Sequence, residues 1–332
     1  FLTNELPDVE VSVSSDVCPE IREYERFTTT VVNAYIKPLM SNYLKKLDQK
    51  LLNSGFNCPL LLMTSGGTLT NISSACNNPV RLVESGPAGG AILATSIAED
   101  MNLSKVISFD MGGTTAKITI IENKKAIKAR EFEVDRKARF KKGSGYPLRI
   151  PVIEMVEIGA GGGSIARVNK LEQIITGPDS AGSFPGPACY SNGGSMPTIT
   201  DADLVIGKIN PDNFAGGKIK LSKQLADIAI TENIVKFVNI DTNIAALAIS
   251  EIVDETMSNA ARVHTVEQGH ETSNRTLIAF GGAAPLHIAR VAEKLRVSNV
   301  IIPTNASVGS AVGFLKAPVG YEVVKSLRML LN

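Results

Sequence analysis

Within six residues, Asp110-Met111-Gly112-Gly113-Thr114-Thr115 gathers the groups that a polyphosphate needs. Gly112 and Gly113 have no Cβ, so their backbone N–H groups can approach phosphate oxygens closely. Thr114 and Thr115 add hydroxyl donors, Lys117 adds a cation, and Asp110 offers a carboxylate for Mg²⁺ or another divalent cation, directly or through water. The competing reading is a plain Gly-rich turn that the aspartate helps to close.

Four further stretches could contribute chemistry. Glu154 and Glu157 sit in an apolar run that enters Gly159-Ala160-Gly161-Gly162-Gly163-Ser164. Three apart in a strand, they face opposite sides, so at most one reaches a site there. The glycines superficially match a dinucleotide fingerprint, but Ser164 replaces the third Gly and another strand follows instead of a helix. A Rossmann reading is rejected, yet so many glycines imply backbone lying very near something. Residues 177–194 form a long Gly/Pro/Ser-rich stretch around Cys189, which is read as a packed thiol before a nucleophile. Thr200 and Asp203 fit a helix capping box, leaving Asp201 as a candidate metal ligand. His264 and Glu267 share a helix face, a weak metal signal.

The elements that must position these groups are legible as periodicity. Apolar runs on both sides of the 110–115 turn predict strand–turn–strand over residues 106–121. Val31, Tyr35, Leu39, Tyr43, Leu47 and Leu51 recur every four residues and Val32, Ile36, Met40 and Leu44 widen the stripe, predicting a helix over 22–52 with Pro38 kinking or dividing it. Alternation over 9–14 predicts a short strand, and 59–64 a buried strand entering a Ser65-Gly66-Gly67-Thr68 turn. A helix from Ser85 or Gly86 to about Met101 carries Gly89 and Gly90, which imply close approach of either ligand or packed backbone. Residues 221–268 look helical throughout. Residues 276–287 read as a strand, a Gly281-Gly282 turn and a helix, and 305–313 as a small-residue helix suited to close packing. The basic run from Arg136 to Lys142 is read as a solvated loop.

Bulk properties exclude several classes. With 332 residues the chain can bury a sizeable core. A formal net charge of +1 and the absence of Trp argue against nucleic acid and against an anionic membrane surface. No apolar run reaches the roughly 18–20 residues of a membrane span. The four cysteines are far apart and read as reduced thiols, which predicts a cytoplasmic protein.

Read together, seven runs in order resemble the A subunit of the hydantoinase/oxoprolinase family, also called N-methylhydantoinase A. They are residues 22–38, 85–90, 109–117, 154–166, 177–190, 197–207 and 280–287, and the resemblance extends over residues 1–332. It implies an α/β fold: an actin-like (RNase H-like) ATPase lobe with a mixed β-sheet flanked by helices, plus Gly-rich insertions. An inter-lobe helix and first strand–helix units would occupy 1–104, and the second nucleotide-binding lobe 105–332, with a Gly-rich insertion at 159–196. It also implies ATP-dependent opening of a cyclic amide of hydantoin or 5-oxoproline type, with Mg²⁺ or a similar cation, alongside a B-type subunit in an oligomer. Two alternatives are a ketone carboxylase subunit of the same family and a catalytically silent structural subunit.

Carried over by position, Asp110, Gly112, Gly113, Thr114 and Thr115 match the second phosphate motif, and Gly281 and Gly282 the adenosine turn. Gly161, Gly162, Gly163 and Ser164 match a site loop; Asp201 and His287 match polar cation or substrate positions, and Asp110, Glu154 and His287 are the catalytic candidates. Many members carry a His where this chain has Val156, so a metal site using it has no counterpart here. Full-length members also begin with another Asp-x-Gly-Gly-Thr hairpin. The chain is therefore expected to be a fragment holding half an ATP cleft, binding nucleotide weakly or not at all.

Overall fold

The computed structural model describes residues 2–6, 9–137, 143–321, 323–324 and 329. Arg139, Lys141 and Lys142 of the basic run lie outside the described residues. The chain divides into two compact units: residues 1–96, 126–154 and 310–332, and residues 97–125 and 155–309. The chain thus enters each unit more than once, and a single cut after residue 104 does not separate them.

In the first unit the long helix α1 (Glu23–Asn53) runs undivided through Pro38. Val32 and Ile36 pack on one apolar cluster, Met40 and Leu44 belong to another, and this packing outweighs the hydrogen bond that the proline removes. Only part of the predicted apolar stripe turns inward: Leu44 is buried and Val32, Ile36 and Met40 are half-buried. Val31, Tyr35, Leu39 and Tyr43 are 65%, 84%, 73% and 57% exposed, while Thr29, Asn33 and Ser41 are buried. The buried row is polar because it meets backbone: Thr29 Oγ1 accepts from the Arg149 N–H (2.8 Å), and Asn33 Nδ2 and Ser41 Oγ donate to the Asn77 and Cys76 carbonyls. Residues 10–13 form no strand. They are irregular and precede a short helix (Ser14–Val17), held to α1 by Asn33 Nδ2 on Ser12 Oγ and Lys37 Nζ on the Val11 carbonyl.

The expected strand at Leu61–Met63 pairs antiparallel with Leu69–Asn71. Helix α2 (Ser85–Asp100) begins in this unit. A Cβ on its Gly89 would collide with Phe314, and one on Gly313 would fall on the Gly89 backbone, so these glycines serve close helix packing.

The second unit is built on a mixed sheet. Five of its six strands are β1 (Lys105–Met111), β2 (Ala116–Glu122), β3 (Met155–Ile158), β6 (Thr276–Phe280) and β7 (Asn299–Ile301), in the order β3-β2-β1-β6-β7, and the two-residue sixth pairs with β2 off this path. A separate antiparallel pair, β4 (Ser164–Val168) and β5 (Ile174–Ser180), follows the Gly-rich loop. The meander β1-β2-β3 is antiparallel, whereas β6 and β7 run parallel to β1. Strands β1, β3 and β6 therefore point the same way, and each is followed by a glycine: Gly112, Gly159 and Gly281. Topology alone brings three glycine turns to one end of the sheet.

Helices α3 (Ile199–Val205), α4 (Lys223–Ile230), α5 (Thr242–Glu267) and α6 (Ala284–Leu295) pack with the sheet around an apolar core that includes Phe109, Ile118, Ile249 and Val291. The 221–268 region is not one helix. Asn239 adopts a left-handed conformation (φ +52°) and the Asp241 carboxylate caps α5 by accepting from the Asn243 N–H. No helix among the described residues is long and apolar enough to cross a membrane. The four cysteines are unpaired with one another.

Candidate functional site

Register across the sheet puts three charged side chains in one row: Asp110 opposite Lys117, and Lys117 opposite Glu157. Residues paired in register share a face. Lys117 Nζ lies 3.2 Å from Glu157 Oε1 and 3.3 Å from Thr115 Oγ1, so Glu157 is the acid that meets the hairpin. Glu154 belongs to the first unit, where its N–H donates to the Ile127 carbonyl, and it is not among the groups that the second unit gathers.

The turn between β1 and β2 is closed by the Gly112 N–H donating to the Thr115 carbonyl. That donor is consequently spent on the turn, a correction to its expected use on phosphate. Gly113 and Thr114 are exposed, and no atom lies within 4 Å of where a Cβ would stand on Gly112 or Gly113. The outer side of the turn is open.

Its inner side is jammed. A Cβ on Gly161 would lie 2.6 Å from Thr114 backbone N and C, and one on Gly163 would lie 2.9 Å from Ser180 Oγ. The Gly162 N–H donates to the Gly112 carbonyl (3.0 Å) and the Gly163 N–H to the Gly113 carbonyl (2.6 Å). The Gly161 N–H is held by Ser164 Oγ (2.9 Å). The Gly-rich loop thus lies very near something, as its composition requires, and that something is the hairpin turn. Gly161, Gly162, Gly163 and Ser164 direct their donors to the protein and form a backing layer, not the expected direct contact with a cofactor.

The third turn divides the same way. Gly281 has φ +90°, and a Cβ there would lie 2.7 Å from Asp110 Oδ1, so only glycine fits behind the aspartate. Gly282 has open space around its Cβ position. The Ala283 N–H donates to the Met111 carbonyl (2.9 Å), fixing the start of α6 to the hairpin.

Asp201 and Asp203 exchange the roles read from sequence. The capping box is Thr198 with Asp201, whose carboxylate accepts from the Thr198 N–H and Oγ1 and from the Ala188 and Cys189 N–H groups. Four donors saturate it, so Asp201 is a fully buried structural anchor and not an open metal ligand. Burial and the nearby Asp201 push the Cys189 thiol far up, as expected of a packed thiol. Asp203 instead faces His287: Nε2 lies 3.0 Å from Asp203 Oδ2, and Nδ1 is 2.8 Å from Asp254 Oδ1. The Nδ1 contact is an aligned hydrogen bond, while the Nε2 approach is an ion pair off the N–H direction.

Burial alone would lower the His287 pKa, but the two carboxylates outweigh it and carry it up to about 9. With no exposed surface and both nitrogens taken by acids, His287 touches no substrate from this position. His264 is buried and Glu267 exposed, so the pair forms no shared site. Among the described residues no three acids, histidines or cysteines are arranged around a metal position. Asp254 and Ser250 were missed from sequence. Their signal was a polar row, Ser250, Asp254 and Ser258, at core positions of α5.

The sequence model of the hydantoinase/oxoprolinase family matches residues 26–323. The chain is 42% identical to an uncharacterized protein of Methanocaldococcus jannaschii, covering 98% of this chain and 48% of that protein. It is 35% identical to the caprolactamase subunit alpha of Pseudomonas jessenii, covering 98% and 46%. The crystal structure of the ATP-dependent caprolactamase from that organism matches with a TM-score of 0.78 at 34% identity, over 94% of this chain and 44% of that one. The nucleotide-free structure of acetone carboxylase matches with a TM-score of 0.78 at 28% identity, over 90% and 41%. The chain spans about half the length of the curated relatives it matches.

Proposed function

This chain belongs to the hydantoinase/oxoprolinase family, and from that premise we propose that its second unit is a phosphate-binding lobe of an ATP-dependent enzyme that opens a cyclic amide. The observation that carries the reading is the two-sidedness of the glycines. Gly161, Gly163 and Gly281 are jammed against backbone or Asp110, while Gly112, Gly113 and Gly282 face open space at the same end of the sheet. Glycine there leaves room for a ligand that needs close backbone approach.

In this reading the Gly113 N–H, the Thr114 and Thr115 hydroxyls and the Lys117 ammonium receive phosphate oxygens. Asp110 supplies the carboxylate for a divalent cation such as Mg²⁺, whose other ligands come from phosphate and water. That division suits a site without a multi-carboxylate cage. ATP, when bound, supplies the phosphoryl group that renders the amide susceptible to water. The relative named ATP-dependent caprolactamase supports this branch, and its description as a subunit supports an assembly, with a B-type subunit as the partner.

The test is ATP hydrolysis by the full-length protein with its partner, with and without a lactam or hydantoin. ADP release in step with ring opening, abolished by Asp110→Ala, is the expected result. Full turnover by Asp110→Ala overturns it and favours the silent structural subunit. The equal structural match to acetone carboxylase favours a second reading, the carboxylase branch. ATP hydrolysis dependent on bicarbonate and a ketone selects that branch.

A further inference from the structure

Two consecutive carbonyls follow Asp110, those of Met111 and Gly112, and they are tied to different helices, the first directly and the second through the Gly162 peptide. The Ala283 N–H, at the start of α6, donates to the Met111 carbonyl (2.9 Å). The Gly162 N–H donates to the Gly112 carbonyl, and the Gly162 carbonyl in turn accepts from both the N–H and the Oγ1 of Thr200 in α3, each at 2.8 Å. The two helices that end these arms meet at His287. It lies one turn into α6, contacts Asp203 of α3 and Asp254 of α5, and is wholly buried.

We infer that His287 is the positioning residue of the phosphate hairpin. As a buried cation it locks α3 to α6, and through Thr200 and Ala283 it sets the two peptide groups between Asp110 and Gly113. The inference rests on the phosphate-binding reading above.

The charges around His287 balance. Asp203 and Asp254 are matched by His287 and by Lys208, whose Nζ lies 3.5 Å from Asp203 Oδ1 and 2.8 Å from Ser250 Oγ. Ser250 Oγ donates to Asp203 Oδ1 (3.0 Å), and Glu251 and Arg290 pair on the outer faces of α5 and α6. Buried ion clusters are rarely more stable than apolar packing of equal volume, and their best-attested use is to fix one arrangement of the elements they join. Here the joined elements are those that hold the hairpin. Deprotonation of His287 removes the cation between two acids and loosens both arms together.

The test uses the full-length protein and a non-hydrolysable ATP analogue, with affinity measured from pH 7 to pH 10. The imidazole of His287, one of three histidines, is followed by NMR in the same range. Affinity falls as His287 deprotonates. Asp203→Asn moves the imidazole titration and the alkaline limb of affinity to lower pH by the same amount. Thr200→Val, which leaves the ion cluster intact, weakens affinity roughly tenfold without moving the titration. His287→Gln weakens affinity and flattens the alkaline limb; if it fails to fold, the other two variants carry the test. Unchanged affinity in Thr200→Val, together with an unmoved limb in Asp203→Asn, overturns the inference. If Asp110→Ala loses binding while the clamp variants keep it, only the clamp fails. If Asp110→Ala binds like wild type, the phosphate-site reading fails with it.

Discussion

Two Gly-Gly-Thr turns in this chain look alike in sequence and are used in opposite ways. In Ser65-Gly66-Gly67-Thr68 the glycines are buried, and a Cβ on Gly67 (φ +82°) would meet Ile153 Cδ1 at 2.9 Å and Ile92 Cδ1 at 3.0 Å. Ser65 Oγ is tied to the Pro151 carbonyl (2.8 Å). In Gly112-Gly113-Thr114 the same letters stand open, and the crowding lies one layer behind, at Gly161 and Gly163. Glycine admits a neighbouring chain in the first case and leaves a vacancy for a ligand in the second. Which of the two applies is a property of what packs behind the turn.

The contrast can be attacked from both sides. The largest effect is expected from Asp110→Ala, which should lower ATP turnover by roughly 10²–10³-fold with the denaturation midpoint retained. The corresponding change in the other turn, Ser65→Ala, should leave nucleotide affinity alone and cost about 1 kcal/mol of stability. Equal turnover losses in both variants would erase the distinction.

Next in size is Gly161→Ala, whose Cβ has no room against the Thr114 backbone. It should destabilise the protein by about 1–3 kcal/mol in chemical denaturation and weaken nucleotide binding as well, because it pushes on the turn from behind.

The third effect is set by pH. His287 has its pKa raised when folded, so the stability it contributes is complete below the unfolded value near 6.5 and is lost as pH rises through about 9. Denaturant midpoints should fall across that window. In His287→Gln the fall should be absent, and its persistence would mean that another group titrates.

The smallest effects form a pair. Gly67→Ala places a side chain at positive φ and should cost about 1–2 kcal/mol with nucleotide affinity intact. Gly113→Ala should change stability by less than about 0.5 kcal/mol yet reduce affinity, since its Cβ points into open space.

The hairpin was legible because its signal is local. Two apolar, β-branched runs, a Gly-Gly turn and an aspartate at the strand end lie within one short window, and β1 and β2 form where the pattern predicts. Helix α1 was legible as a helix for the same reason, but only in part as to which face it buries. Of its apolar stripe, Val31, Tyr35, Leu39 and Tyr43 are solvent-exposed while Leu44 is buried, and Thr29, Asn33 and Ser41 face inward because backbone groups of other segments need their hydrogen bonds. The same blindness exchanged Asp201 and Asp203. Both satisfy a capping spacing, and only the arrival of His287 and of the 188–189 backbone tells the anchor from the ion pair.

By itself the sequence determined the strand–turn–strand around Asp110, the order of the glycine turns and the membership of the chain in its family, because each is written in neighbouring residues. The tertiary structure alone decided which glycines are packed and which are open. It also decided which acid meets His287, and that the start of α6 and a loop tied to α3 hold adjacent carbonyls of one turn. Those outcomes depend on distances between segments 33 to 172 residues apart, from His287 with Asp254 to Ala283 with Met111, set by burial and backbone hydrogen bonding across the whole unit.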